Sequence, residues 1–132
     1  MQISVVIPLF NEAESLPELM AWIDRVMQTN QFSYEVIMVD DGSDDKSWEV
    51  IEDLKKSFSS LKAIRFQRSY GKSAALNEGF KAANGEIVVT MDADLQHPPE
   101  VIPKLLAEHE KGNDIVITVR KGTEGAPLLR RW

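Results

Sequence analysis

Five short apolar runs alternate with stretches of helical periodicity, and this alternation limits the possible folds more than any other feature of the chain. The runs are Ile3–Ile7, Glu35–Val39, Leu61–Phe66, Ile87–Met91 and Asp114–Val119. Between the first two, Leu16, Leu19, Met20, Ile23, Val26 and Met27 recur at helical spacing, after a capping-box pattern at Ser15-Leu16-Pro17-Glu18. A second helix runs from about Lys46 to Phe58, with Trp48, Ile51, Leu54 and Phe58 on its inner side. A third spans Gly71 to Asn84, where Ala75, Gly79 and Ala83 allow a close approach to a sheet. A fourth opens at Pro99 and reaches Lys111. Strands followed by helices of about ten to fifteen residues and short connections build right-handed βαβ units. The expected class is α/β: a Rossmann-like, mostly parallel sheet with helices on both faces. Pro8 should stop the first strand. Lys62 and Arg65 interrupt the third, which suits an edge position and gives the strand order 3-2-1-4.

The 132 residues suffice for one domain with a real core. A net charge of −6 argues against sequence-independent nucleic-acid binding, which needs a basic surface. There is no cysteine, hence no disulfide framework and no thiolate metal site. Met1-Gln2-Ile3-Ser4 lacks the basic start and long apolar stretch expected of a signal peptide. No apolar run approaches the ~18 residues that a membrane span requires.

In open α/β sheets, ligands bind beyond the carboxyl ends of the strands, and the chemistry-bearing residues collect there. Asp92, Asp94 and Gln96 follow the fourth strand at alternate positions, so in an extended loop they share one side. Two carboxylates and an amide oxygen suit a hard divalent cation such as Mg²⁺. Asp40 and Asp41 follow the second strand. They can accept hydrogen bonds from a base N–H or ribose hydroxyls, or they can serve the turn at Gly42-Ser43 and cap the next helix. Pro8 to Glu12 follows the first strand without a Gly-x-Gly-x-x-Gly pattern, which weighs against an NAD-type site. Lys72, at the opening of the third helix, either faces phosphate or is solvated. His97 reads as a loop residue, since nitrogen suits zinc better than Mg²⁺.

Together these loops resemble family 2 glycosyltransferases of the GT-A fold. The resemblance is carried by Val5-Val6-Ile7-Pro8-Leu9-Phe10-Asn11-Glu12, by Val39-Asp40-Asp41-Gly42-Ser43, by Gly71-Lys72-Ser73-Ala74-Ala75-Leu76, and by Asp92-Ala93-Asp94-Leu95-Gln96-His97-Pro98-Pro99-Glu100. The last piece looks most like the polyprenyl- and dolichol-phosphate sugar transferase branch. The resemblance implies a UDP- or GDP-sugar donor, a polyprenyl-phosphate or glycan acceptor, and Mg²⁺ or Mn²⁺. By position, Pro8, Phe10 and Glu12 would line the nucleotide site, with Asp40 and Asp41 at base and ribose. Asp92, Asp94 and Gln96 would meet the metal and the diphosphate, with Asp94 assigned to catalysis. Lys72 and Arg120 would lie near the donor phosphates. Many relatives have Tyr where Phe10 stands, so that hydroxyl is absent here.

The resemblance also implies that residues 1–120 are the nucleotide-sugar-binding part of a larger enzyme, acting in the cytoplasm at the inner face of a membrane. Residues 121–132 form a tail with Arg130, Arg131, Leu128, Leu129 and Trp132. The tail is expected either to be disordered or to support weak self-association. Two other functions fit less of the sequence: a non-catalytic nucleotide-binding or assembly module, and a sugar nucleotidyltransferase, which would show a Gly-rich loop after strand one.

Overall fold

A computed structural model describes residues 2–94, 98–109, 115–119 and 128–131. In chain order the elements are β1 (Gln2–Leu9), α1 (Leu16–Thr29), β2 (Ser33–Asp40), α2 (Ser47–Ser57), β3 (Leu61–Arg65), α3 (Lys72–Ala82), β4 (Ile87–Met91), α4 (Val101–His109), β5 (Ile115–Val119) and β6 (Leu128–Arg131). They form one six-stranded sheet in the order β3-β2-β1-β4-β5-β6. Strands β1 to β5 are parallel, and β6 runs antiparallel to β5. The expected order 3-2-1-4, with β3 at an edge, is the one observed.

Alternation along the strands divides the core between the two faces of the sheet. Ile3, Val5 and Ile7 of β1, with Val36 and Met38 of β2, pack against Leu19, Met20 and Ile23 of α1, Ile51 of α2 and Ile102 of α4. Val6, Ile37 and Val39 face the other way, toward Ala75 of α3. Each such buried aliphatic side chain contributes about 1.5–3 kcal/mol. Helix α3 sits so close to the sheet that a Cβ at Gly79 would overlap Val6 Cγ1. The small residue there lets the helix lie flat on β1 and β2, which aims its first turn at the carboxyl edge.

Pro8 does not stop β1, contrary to expectation; it is buried within the strand and pairs in register with Val39. The Leu9 carbonyl accepts from Asp41 N on the β2 side, so the position of Pro8 faces β4. There the ladder has already ended at the Val6–Thr90 pair, so the missing N–H costs no hydrogen bond. Within the expected tail, Leu128 to Arg131 are not disordered but form the sixth strand, in register with Ile115 to Thr118. Residues 121–127 and Trp132 lie outside the described residues.

At the opposite end of the strands, Glu35 is buried and accepts Ser4 Oγ at 2.5 Å, Lys62 Nζ at 2.6 Å and Asn84 N at 2.7 Å. Burial alone would raise its pKa. The hydrogen bonds from Lys62, Ser4 and Asn84, with the Lys62 charge, outweigh that and hold it below the usual glutamate range. This network joins β1, β2, β3 and the turn before β4 at the edge away from the carboxyl-end loops. Among the described residues, no helix is long and apolar enough to cross a membrane.

Candidate functional site

Four segments converge at the carboxyl edge of the sheet: the loops after β1, β2 and β4, and the start of α3. Side-chain to backbone hydrogen bonds stitch the first two loops together. Asn11, held at φ 55°, accepts the N–H groups of Asp44 and Asp45 through its Oδ1, at 3.0 and 3.3 Å. Its own N–H donates to Ser43 Oγ at 2.8 Å. Glu12 N donates to the buried Ser47 hydroxyl at 3.0 Å. Asp45 in turn accepts from Ser47, N at 2.8 Å and Oγ at 2.6 Å, and from Ala13 N at 3.4 Å. Burial would raise the Asp45 pKa, but the bonds from the Ser47 hydroxyl and N–H and from Ala13 lower it overall.

Asp40 and Asp41 are both buried and have different roles. Asp41 Oδ1 accepts Tyr70 N at 2.7 Å, and Oδ2 accepts Ser69 Oγ at 2.8 Å and Gly71 N at 3.1 Å. Its carboxylate therefore fixes the segment that leads into α3 rather than the turn at Gly42-Ser43, and neither α2 nor α3 has a side-chain cap. Gly42 makes this possible: its φ is +73°, and a Cβ there would overlap the Arg68 backbone and lie 2.6 Å from Ser69 N. Asp40 is fully buried, and its Oδ1 accepts Ser43 N at 2.8 Å. Among the described residues, Asp40 Oδ2 is buried and has no hydrogen-bond partner. A buried acceptor left unpaired in a native fold calls for an explanation, of which an ordered water, an ion and a ligand N–H or O–H are the usual ones.

The loop after β4 places Ala93 in the core and leaves Asp92 and Asp94 partly exposed beside it. Two contacts attach this segment to α1. The Ser15 hydroxyl donates to the Ala93 carbonyl, and Trp22 Nε1 donates to Glu100 at 2.6 Å. The expected capping box is therefore not formed: Ser15 makes no side-chain cap to α1, because its hydroxyl is drawn to Ala93 and to Glu12. From the other side, Lys72 at the first position of α3 donates to Asp92 Oδ1 at 2.7 Å.

Of the residues expected at the site, Phe10, Glu12, Asp40, Asp41, Lys72, Asp92 and Asp94 lie on these four segments, and Pro8 is buried in β1 just beneath them. Phe10 is 47% exposed and Tyr70 57%; the Tyr70 ring carries the Arg68 guanidinium 4.8 Å from its centroid and packs edge-on with Phe66, which leaves Phe10 as the exposed aromatic side chain on the loop after β1. Gln96, Arg120 and His97 lie outside the described residues. Asn11, Ser15, Ser43 and Ser47, which hold the loops in place, are residues that the sequence alone does not mark as part of the site. Small polar residues in loops are too common for their type alone to reveal such a role. Among the described residues, no group of three or more His, Cys, Asp or Glu side chains is placed to hold a metal ion.

The sequence profile described as Glycosyl transferase family 2 matches residues 4–132. The undecaprenyl-phosphate 4-deoxy-4-formamido-L-arabinose transferase of Pseudomonas fluorescens is 43% identical over 129 residues, which is 97% of this chain and 38% of the relative. The dolichol-phosphate mannosyltransferase of Pyrococcus furiosus is 47% identical over 135 residues, 99% of this chain and 38% of the relative. This chain thus spans about 38% of the length of these relatives. Among solved structures, the mannosyltransferase PcManGT of Pyrobaculum calidifontis, in complex with GDP-Man and Mn²⁺, superposes with a TM-score of 0.63 at 30% identity. That match covers 70% of this chain and 27% of the other.

Proposed function

The chain belongs to glycosyl transferase family 2, and on that premise we propose that its carboxyl edge binds a UDP- or GDP-sugar together with Mg²⁺ or Mn²⁺. The whole protein in this reading is a hexosyltransferase that passes the sugar to a polyprenyl phosphate at the inner, cytoplasmic face of a membrane. The observation that carries it is the unpaired, fully buried Asp40 Oδ2 on the same edge as Asp92 and Asp94.

In this reading Asp40 Oδ2 accepts the ring N–H of uracil or guanine. Asp41 is a positioning residue, holding Ser69 to Gly71 and through them the start of α3. Phe10 offers an open aromatic face for the nucleoside, with Pro8 and Glu12 shaping the same side. Asp92 and Asp94 are oxygen donors and suit a hard cation, with phosphate oxygens and water completing its shell as is usual for Mg²⁺. When bound, such an ion neutralises charge that builds on the departing diphosphate. Gln96 and Arg120 complete the diphosphate end. The acceptor assignment is supported by the names of the two relatives above and by simple acid–base chemistry. A phosphate monoester has a second pKa of about 6, so a lipid phosphate is already a nucleophile near neutral pH and needs no base from the protein.

Calorimetry with UDP and GDP, with and without MnCl₂, tests the reading. The expected result is binding that requires the metal and weakens about tenfold or more in Asp94→Asn, the loss of one charged ligand bond. Equal metal-dependent affinity in wild type and variant, or no nucleotide binding at all, would overturn it.

A further inference from the structure

Lys72 is the first residue of α3, and its ammonium lies 2.7 Å from Asp92 Oδ1. The backbone that carries it is fixed, because α3 is held at its start and along the sheet. Gly71 N and Tyr70 N are held by Asp41, and Gly79 is pressed onto Val6. The lysine side chain is 54% exposed and that of Asp92 19%. The pair therefore forms where the lysine can swing aside without disturbing the core. A divalent ion and an ammonium on one carboxylate repel each other, so each weakens the other's hold on it. A diphosphate gives the ammonium another anion within reach of the same helix start.

We propose that Lys72 is a built-in counter-cation for Asp92, which makes metal binding depend on the arrival of the nucleotide. This rests on the donor-site reading above and adds an order to it. In the free protein Lys72 holds Asp92 and weakens its hold on a metal ion. When a nucleoside diphosphate enters, its phosphates draw Lys72 away and release Asp92 Oδ1 to the cation that the same phosphates bring. Lys72 is thus a positioning residue that couples the two ligands. The free protein also avoids capturing divalent ions without a donor.

Mn²⁺ uptake can be read by the loss of the free-ion EPR signal, with MnCl₂ alone and with GDP or UDP added. Lys72→Met and Lys72→Gln should each bind Mn²⁺ alone about twofold to fivefold more tightly than wild type, the range set by a half-exposed ion pair. Their gain on adding nucleotide should shrink. Lys72→Arg should behave as wild type. So should Lys81→Met, which removes the same charge at the far end of α3, where Lys81 pairs with Glu78. If Lys72→Met and Lys72→Gln match wild type without nucleotide while all bind Mn²⁺ in its presence, the coupling role is overturned and the donor site stands. If Lys81→Met gains as much as Lys72→Met, the effect is general charge and the role is again overturned. If no protein takes up Mn²⁺ under any condition, the donor-site reading fails and this inference fails with it.

Discussion

Asp40→Asn should separate folding from binding, because the two oxygens of Asp40 have different duties. Oδ1 accepts Ser43 N at 2.8 Å, and asparagine can keep that bond with its own carbonyl. Oδ2 is buried without a partner in the free protein, so replacing it by an amide of the same size removes no internal hydrogen bond. Folding free energy should therefore change by less than about 1 kcal/mol, since the cost of burying an unpaired polar group is present before and after. Binding should respond more strongly. A hydrogen bond from a base N–H to a carboxylate contributes about 1.5–3 kcal/mol, and the amide presents a donor to that donor. Affinity for UDP or GDP with Mn²⁺ should fall by a factor of about 10 to 150. Urea denaturation and calorimetry on the same preparation give both numbers. Affinity within twofold of wild type would refute the placement of the base. A stability loss above about 2 kcal/mol with unchanged affinity would show that Asp40 serves only the fold.

Gly79→Ala should destabilise the protein by about 1–3 kcal/mol, because the new methyl group overlaps Val6 Cγ1 and α3 must move off the sheet. Denaturant midpoints at equal slope would measure it, and an unchanged midpoint would contradict the close packing. Glu35 should impose an acid limb on stability. Its folded pKa lies below the ordinary glutamate value of about 4.5, so its contribution is complete above about pH 4.5 and is lost as pH falls through the folded value. Glu35→Gln should flatten that limb and cost about 2 kcal/mol at pH 7, the worth of hydrogen bonds to a buried charge moderated by the exposure of Lys62. An acid limb that persists unchanged in the variant would assign it to other carboxylates.

The parallel part of the sheet is legible in the sequence because its signals are local. Apolar runs end in acidic or turn residues, the helices between them show one apolar stripe, and Lys62 and Arg65 mark β3 as an edge. What is not legible depends on distant partners. Leu128-Leu129-Arg130-Arg131 has no alternating pattern, and it becomes a strand by adding antiparallel to β5. Ser15 has the spacing of a capping residue, yet its hydroxyl is taken by a carbonyl that lies far along the chain, at Ala93. Asp40 and Asp41 are adjacent and chemically alike, so composition cannot tell them apart. The strand's alternation separates them, giving Asp41 the loop before α3 and leaving one oxygen of Asp40 unpaired. The approach of Lys72 to Asp92 is likewise a consequence of how α3 lies on β1, which only the packing at Gly79 makes plain.

The most direct test of the central claim is where a bound metal–nucleotide pair sits, read from paramagnetic broadening of amide NMR signals by Mn²⁺ in the presence of GDP or UDP. Signals from Gly71, Lys72 and Asp92 to Asp94 are expected to vanish first, followed by those of Asp40 to Gly42. Signals from Glu35, Asn84 and Gly85 at the other end of the strands should persist. Broadening that spares the carboxyl edge, or that strikes both ends of the sheet equally, would contradict a donor site built from Asp40, Asp92 and Asp94.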